Sequence, residues 1–454
     1  MTHPPAQATL PASFASDAPD ARDAPSMSKL WWRIMPLMMA GLFLNVLDRY
    51  NISFAALRMN ADLGLSNTVF GLGAGFLAVG MLIFGIPSTI VLHKVGARRW
   101  ISVTLVIWGF CSAATAFVSN ATELCIARLL LGAAEAGFVP GSILYFSQWF
   151  PTEYRGRVLG SFIFVQPVAL LIGSPLSGFL LSHDGVGGLQ GWQWLFIVEA
   201  TPTLALAALV YFYLPDSLAK AKWLTLPEKK WLGRKLAAEK AQNAEPGISV
   251  KAGFRDRRIW ILAGVYIAYA ASGSAPSVFL PLIIRSMGFS IEMTSIVFLL
   301  PTLAATVLLP MWGMWADRAP RRGLVVATAS GLIAAGLIGT AMLLPSSWSL
   351  VPLSIAMIGF FGFTPAFWTI PPTLLTGVTA ATGIALINVV GNSGTLVGPY
   401  FLGWLLDSTG SYATGLVSLA ALAAIAAVVM LAWTPRTGSS STATPIQSDG
   451  TTKS

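Results

Sequence analysis

The sequence predicts an all-α membrane protein, twelve transmembrane helices in two six-helix bundles, on three observations. Of its 454 residues 55% are hydrophobic and only 10% charged, whereas about 25% of a soluble chain is charged. Apolar runs of about 20 residues, each long enough to cross a bilayer, recur along the chain. The basic residues are sorted into alternate loops, as membrane insertion requires.

The runs centre on 34–57, 67–91, 100–118, 123–147, 158–181 and 193–214, then on 259–284, 293–315, 324–344, 350–373, 381–405 and 412–433. The first carries Asp48 and Arg49, and the fourth Arg128 and Glu135. Gly173-Ser-Pro175-Leu-Ser-Gly178 is expected to bend the fifth, for packing or rocking. Glu199 in the sixth is expected at a solvated end or against a neighbouring backbone group, and no role is assigned to it. The seventh holds Tyr266 and Tyr269, and the tenth is broken by Pro365, Pro371 and Pro372. The eleventh is glycine-rich, with Asn388 and Asn392 one turn apart.

With the N-terminus in the cytoplasm, one set of loops and both tails hold Lys94, Arg98, Arg99, Arg155, Arg157, Arg318, Arg321, Arg322 and the basic stretch Lys220 to Arg258. The other set holds only Arg58 and Arg285. Positive charge is retained on the cytoplasmic side, so both termini are expected there, in the cell inner membrane. The organisation is then a polar tail (1–33), an N-terminal bundle (34–214), a basic linker (215–258), a C-terminal bundle (259–434) and a second tail (435–454). In the linker, Thr225-Leu-Pro-Glu228 reads as a capping box, followed by a basic surface helix through Trp231, Arg234, Lys235 and Lys240. A connector meeting lipid headgroups is its plain reading, and a regulatory partner site the sharper one.

This layout excludes other classes. The net charge of +9 is loop-sorted, so no nucleic-acid partner is expected. Cys111 and Cys125 make no disulfide framework and read as small apolar residues. Residues 1–28 have no apolar core of a cleavable signal. Three histidines, His3, His93 and His183, form no metal set, and no phosphate loop occurs, so no cofactor and no enzyme activity are expected. A sensor would need an output domain, which the short tails do not supply.

Charges inside an apolar run are costly, roughly 2.5–3.5 kcal/mol each at the bilayer centre on insertion scales, and so mark a cavity or a partner. Each of two runs here supplies an acid and a base, which together can hold an organic anion and pass a proton. Arg128 and Glu135 lie seven apart and share a helix face. Glu135 reads as a proton carrier and Arg128 as the group that tunes it, while Asp48 can also titrate. Arg49 points off at another angle and can grip a carboxylate through its planar fork. A structural ion-pair network pinning the first and fourth helices is the alternative.

An internal repeat narrows the reading. Leu92-His-Lys-Val-Gly96-Ala-Arg-Arg99 and Gly313-Met-Trp-Ala-Asp317-Arg318-Ala-Pro-Arg321-Arg322-Gly323 occupy equivalent loops of the two halves. They resemble the signature loop of the major facilitator superfamily, which implies two bundles around a midplane substrate site. The resemblance assigns Asp317, Arg318 and Arg98 to a gate, although His93 replaces the usual acid in the first copy. Leu47-Asp48-Arg49-Tyr50-Asn51-Ile52-Ser53-Phe54-Ala55 is similar to the first-helix motif of the anion:cation symporter family. Arg128-Leu-Leu-Leu-Gly132-Ala-Ala-Glu135-Ala-Gly137-Phe-Val-Pro140-Gly141, with Trp149-Phe150-Pro151 and Arg155, resembles its fourth-helix motif. Ile387-Asn388-Val-Val-Gly391-Asn392-Ser-Gly394 and Gly398-Pro399-Tyr400 resemble its eleventh.

The resemblance implies proton-coupled uptake of an organic carboxylate by alternating access, with Arg49 on the substrate carboxylate and Asp48, Glu135 and Arg128 in coupling. Gln166 matches a substrate-contacting glutamine or serves as a packing amide. Asn392, Tyr266, and Trp368 with Thr369 are candidate cavity residues; a gate hinge explains the nearby prolines equally well. Val46 stands where sugar-acid carriers often have tyrosine, Gly80-Met81 replaces Gly-Tyr, and Gly85 replaces an acid. Fewer hydroxyls favour a sparsely hydroxylated or aromatic acid, because unpaired substrate hydroxyls are costly in a dry site. A uniporter or anion exchanger is the runner-up. A monomer in contact with the lipid bilayer is expected.

Overall fold

The computed structural model describes residues 24–242, 254, 256–319, 321–375 and 378–433. Its first half runs through α1 (Met27–Asp62), α2 (Asn67–Val95), α3 (Ala97–Thr115), α4 (Ala121–Glu135), α5 (Phe138–Trp149), α6 (Thr152–Leu181) and α7 (Gly191–Tyr213). The linker carries α8 (Leu226–Gln242). The second half comprises α9 (Arg257–Arg285), α10 (Ile291–Val297), α11 (Leu299–Arg318), α12 (Arg322–Leu343), α13 (Leu350–Phe367), α14 (Pro371–Leu374), α15 (Val378–Asn392), α16 (Gly394–Thr409) and α17 (Tyr412–Trp433). Ten stretches among the described residues are long and apolar enough to span a membrane. The helix α3 and the α15–α16 pair complete twelve.

Local chemistry sets the starts. Ser66, Asn120 and Ser290 each accept a backbone N–H of the turn they open, satisfying a donor the helix leaves free. Gln190 and Gln193 form a reciprocal box at α7. Four spans are broken inside: at Ala136–Gly137, at Phe298, at 368–370 and at Ser393. The tenth-span break was expected from its prolines, yet Pro365 sits within α13 while Pro371 opens α14.

The two halves meet at the face opposite α8, here called the distal face. Phe54 packs on Phe298 at 5.0 Å and Phe70 on Phe279 at 5.1 Å, each pair spanning the two halves. Gly71 of α2 lies so close to α16 that a Cβ would overlap the Pro399 carbonyl, and Gly403 is equally close to Asn67. Asp407 at the end of α16 caps α2: it accepts the Asn67 backbone N–H at 3.1 Å and side-chain amide at 2.8 Å, then the Thr68 backbone N–H at 2.7 Å and hydroxyl at 2.5 Å.

Towards α8 the halves part. Gly85 is fourteen residues beyond Gly71, which returns an α-helix to within about 40° of the same side, yet nothing lies within 4 Å of its Cβ position. On α6, Gly178 presses on Ser295 of α10, while Gly160, five turns earlier on the same side, meets nothing within 4 Å. The protein is thus sealed distally and open on the α8 face.

The linker helix sits on the first half. Glu228 accepts Lys29 at 2.9 Å, Glu239 accepts Arg155 at 3.2 Å, and Trp223 stacks on Trp149 at 5.7 Å. Leu232 is fully buried beneath it. Thr225 and Glu228 exchange the hydrogen bonds of the expected capping box, at 2.7 and 3.4 Å. The side chain of Lys240 lies outside the described residues.

Candidate functional site

The midpoint of α1 organises the interior of the first half. Asp48 is fully buried and its carboxylate accepts Trp108 Nε1 at 2.5 Å, the Ser112 hydroxyl, and Asn51 Nδ2 at 3.1 Å. Two of these donors come from α3 and one from the next turn of α1. A buried carboxylate needs such donors because its desolvation is otherwise uncompensated. Arg128 is 1% exposed and donates to the Asp48 carbonyl oxygen at 3.2 Å, with its Nε left without a partner.

Glu135 is the last residue of α4, immediately before the break. Close crossing puts it there: a Cβ on Gly132 would overlap the Leu77 carbonyl of α2, and one on Gly80 that of Leu129. Its Oε2 accepts Asn45 Nδ2 at 2.9 Å and Arg49 Nε at 3.3 Å, while Oε1 is buried with no partner. The ion pair on Glu135 therefore comes from Arg49 rather than from Arg128, which acts on it from a distance. Arg49 is the one partly exposed member of this group, its side chain 37% exposed against 0% for Glu135. Its outer guanidinium nitrogen reaches Met81 Sδ at 3.5 Å.

The second half brings an aromatic wall. Tyr266 lies 5.4 Å from Trp368 and 5.2 Å from Phe367, and Tyr269 stacks on Phe363 at 3.8 Å. Tyr269 and Thr364 hydroxyls are hydrogen-bonded at 2.8 Å. Gly391 lies against the Tyr266 ring, and the amide of the next residue, Asn392, donates to Asn388 Oδ1 at 2.7 Å. Tyr266 and Trp368 are thus brought together, whereas the Asn392 amide is hydrogen-bonded within its own helix. Gln166 is exposed on α6 and makes no hydrogen bond among the described residues.

Of the gate residues, Arg98 binds Asp216 through two contacts, 2.5 and 2.9 Å, and donates to the Tyr211 carbonyl at 2.8 Å. Tyr211 belongs to its own half and Asp216 to the linker that follows, so neither reaches the second half. Arg318 is exposed, and the side chain of Asp317 lies outside the described residues. His93 is exposed.

Sequence reasoning passed over Asn45, Asn51, Trp108 and Ser112. The signal for the first two was present: both are amides three residues from Asp48 in an apolar run. Glu199 requires a correction. It lies at no solvated end but is 3% exposed in the interior of α7, with both carboxyl oxygens lacking a hydrogen-bond partner.

Comparison with known proteins agrees with this architecture. The profile of the Major Facilitator Superfamily matches residues 38–395 and, overlapping, 262–451. A putative tartrate transporter of Agrobacterium vitis is 42% identical over 409 residues, 90% of this chain and 91% of its own. The inner membrane transport protein RhmT of Escherichia coli is 37% identical over 395 residues, 86% and 90% of the two chains. Among solved structures, a bacterial homolog to the human lysosomal transporter Spinster, inward-facing and occupied, has a TM-score of 0.70 at 16% identity over 90% of this chain and 97% of that one.

Proposed function

Because this chain belongs to the major facilitator superfamily, we propose that it is a proton-coupled symporter that takes up an organic carboxylate by alternating access. The observation that carries the reading is the single Arg49 contact on buried Glu135. Arg49 is partly exposed and is the base an incoming carboxylate meets. Binding that anion draws Arg49 away from Glu135. An unpaired buried charge costs about 3–5 kcal/mol, roughly two to four powers of ten in affinity, so the anion binds well only if Glu135 takes up a proton. Its free oxygen, Oε1, is where that proton sits. Anion and proton then travel together because one arginine serves two carboxylates in turn. Asp48 and Arg128 fix the helix that presents Arg49, and Asp48 is the second coupling acid.

The Tyr266–Trp368 wall offers apolar faces, Asn392 is assigned to the cavity as an amide, and Met81 borders Arg49. This suits an aromatic or sparsely hydroxylated acid. A tartrate-like substrate is the second reading, favoured by the 42% identical putative tartrate transporter. The loop charges and the inner-membrane name of RhmT support a place in the inner membrane with both termini cytoplasmic, and the working unit is proposed to be a monomer. On that orientation the open face is the cytoplasmic one. Asp317 and Arg318 are assigned to the cytoplasmic gate, where Arg98 acts by holding the first half together, and Gln166 to the substrate cavity.

The test is uptake of labelled carboxylates, tartrate and aromatic acids in parallel, into proteoliposomes under an imposed pH gradient. Accumulation is expected in the wild type. Glu135→Gln should abolish it while leaving counterflow measurable. If Glu135→Gln still concentrates substrate under the gradient, the uniporter or exchanger reading replaces this one.

A further inference from the structure

Glu199 lies outside the machinery just described. The polar groups nearest it are Asn51 of α1 and Ser177 of α6, and Asp48 acts on it as a second negative charge. Asn51 gives one amide N–H to Asp48, at 3.1 Å, and its carbonyl oxygen has no partner. Ser174, one turn from Ser177, is also buried with an unpartnered hydroxyl, and both serines line a small cavity with Asn51. Thr203, one turn along α7 from Glu199, is unpartnered as well.

The donors of this pocket, the Ser174, Ser177 and Thr203 hydroxyls and the second Asn51 N–H, are all uncharged, and neither Glu199 oxygen has a hydrogen-bond partner. If Glu199 were ionised, its buried charge would meet no basic partner and no hydrogen bond, at several kcal/mol of desolvation. No lysine or arginine contacts it among the described residues. Of the bases on the helices packed against α7, Lys29 holds Glu228, Arg49 Glu135, Arg58 Asp184, Arg98 Asp216 and Arg155 Glu239, Arg33 donates to the Tyr213 hydroxyl, and Arg99 and Arg157 are exposed. Arg128 lies across Asp48, on that residue's carbonyl. A carboxyl hydrogen on Glu199 supplies a donor for the Asn51 carbonyl and removes repulsion from Asp48 in one step.

We propose that Glu199 is a buried proton-binding site, its carboxyl O–H donated to Asn51, so that Asp48 and Glu199 together hold one negative charge. Asn51 then connects the two acids, giving through its amide to Asp48 and receiving through its carbonyl from Glu199. A role for this proton in transport rests on the symport reading above; its presence does not.

The experiment is infrared spectroscopy of the purified full-length protein at neutral pH, in water and in heavy water. The wild type should show the carbonyl stretch of a protonated carboxyl, and Glu199→Gln should lose a component of it. Asn51→Leu removes the acceptor and should move that component to higher frequency. If Glu199→Gln does not fold, Glu199→Asp serves instead and should shift the component. Identical carboxyl bands in the wild type and the substituted protein overturn the proposal. So does loss of the band on adding sodium at fixed pH, which would assign the pocket to a metal cation. A band that behaves as expected in a protein that ignores the pH gradient would keep this site and remove the symport reading.

Discussion

Asp407 receives the Thr68 backbone N–H at 2.7 Å across the boundary between the two halves. The same carboxylate takes three further hydrogen bonds from Thr68 and Asn67, so the end of α16 is the N-terminal cap of α2. An anion at a helix start is favourable both for its hydrogen bonds and for the helix dipole. The cap exists only while the distal face is shut. Hydrogen bonds to a charged group contribute about 1.5–3 kcal/mol, so Asp407→Ala should shift the balance towards a distally open state by roughly one to two powers of ten. Spin labels on the distal ends of α2 and α16 read this as a longer distance distribution. An unchanged distribution would show that the cap does not hold the gate.

Gly71→Ala should act on the same gate by a different route. The added methyl meets the Pro399 backbone carbonyl, which cannot rotate away as a side chain can. The distally sealed state should be disfavoured, with transport slowed and cysteine labelling of the distal cavity increased. Gly85→Ala, which meets open space in this state, is the control and should leave labelling unchanged.

Arg49→Lys keeps the charge and loses the planar fork, which matters where one base must serve two carboxylates. Substrate affinity should fall by at least about tenfold, and Arg49→Ala should abolish binding measured by calorimetry. Affinity unchanged in both would take Arg49 out of the site.

The linker dock gives a pH dependence. Partial burial works to raise the Asp216 carboxyl, but Lys220 and Arg98 outweigh it and hold it below its ordinary value of 3.8. Glu228 is held below 4.5 in the same way, burial opposing and Lys29 and Thr225 prevailing. A depressed carboxyl contributes stability that is complete above its ordinary value and is lost as the pH falls through its lower, folded one. Protease cutting within the linker should therefore be resisted at neutral pH and increase only below about pH 4. Asp216→Asn should make cutting easier at neutral pH too.

Much of the fold could be read from residues one at a time. Apolar run length placed the span ends to within seven residues, because a bilayer demands length and apolarity rather than a particular partner. The break after Glu135 could not be read that way. Gly137 is needed because Ser88 of α2 and Trp100 of α3 crowd it, a fact of two other helices. The base on Glu135 was equally hidden: spacing along α4 pointed to Arg128, but the crossing of α1 and α4 delivers Arg49. Glu199 looked inert for the same reason, since its meaning lies in Asn51 and Ser177 on other helices. The Thr225–Glu228 box was legible in full because capping is local.

The intramembrane charges Asp48, Arg49, Arg128, Glu135 and Glu199 all sit in the first half, whereas Tyr266, Tyr269, Phe363, Phe367 and Trp368 sit in the second. On the symport reading, the coupling acids and the base that grips the anion are thereby written on one piece of the chain and the aromatic side of the cargo site on the other. Changes to the aromatic wall can alter which acid is preferred without disturbing the acids and bases opposite. A lineage built on this plan can diversify its diet by varying one bundle while inheriting an untouched engine in the other.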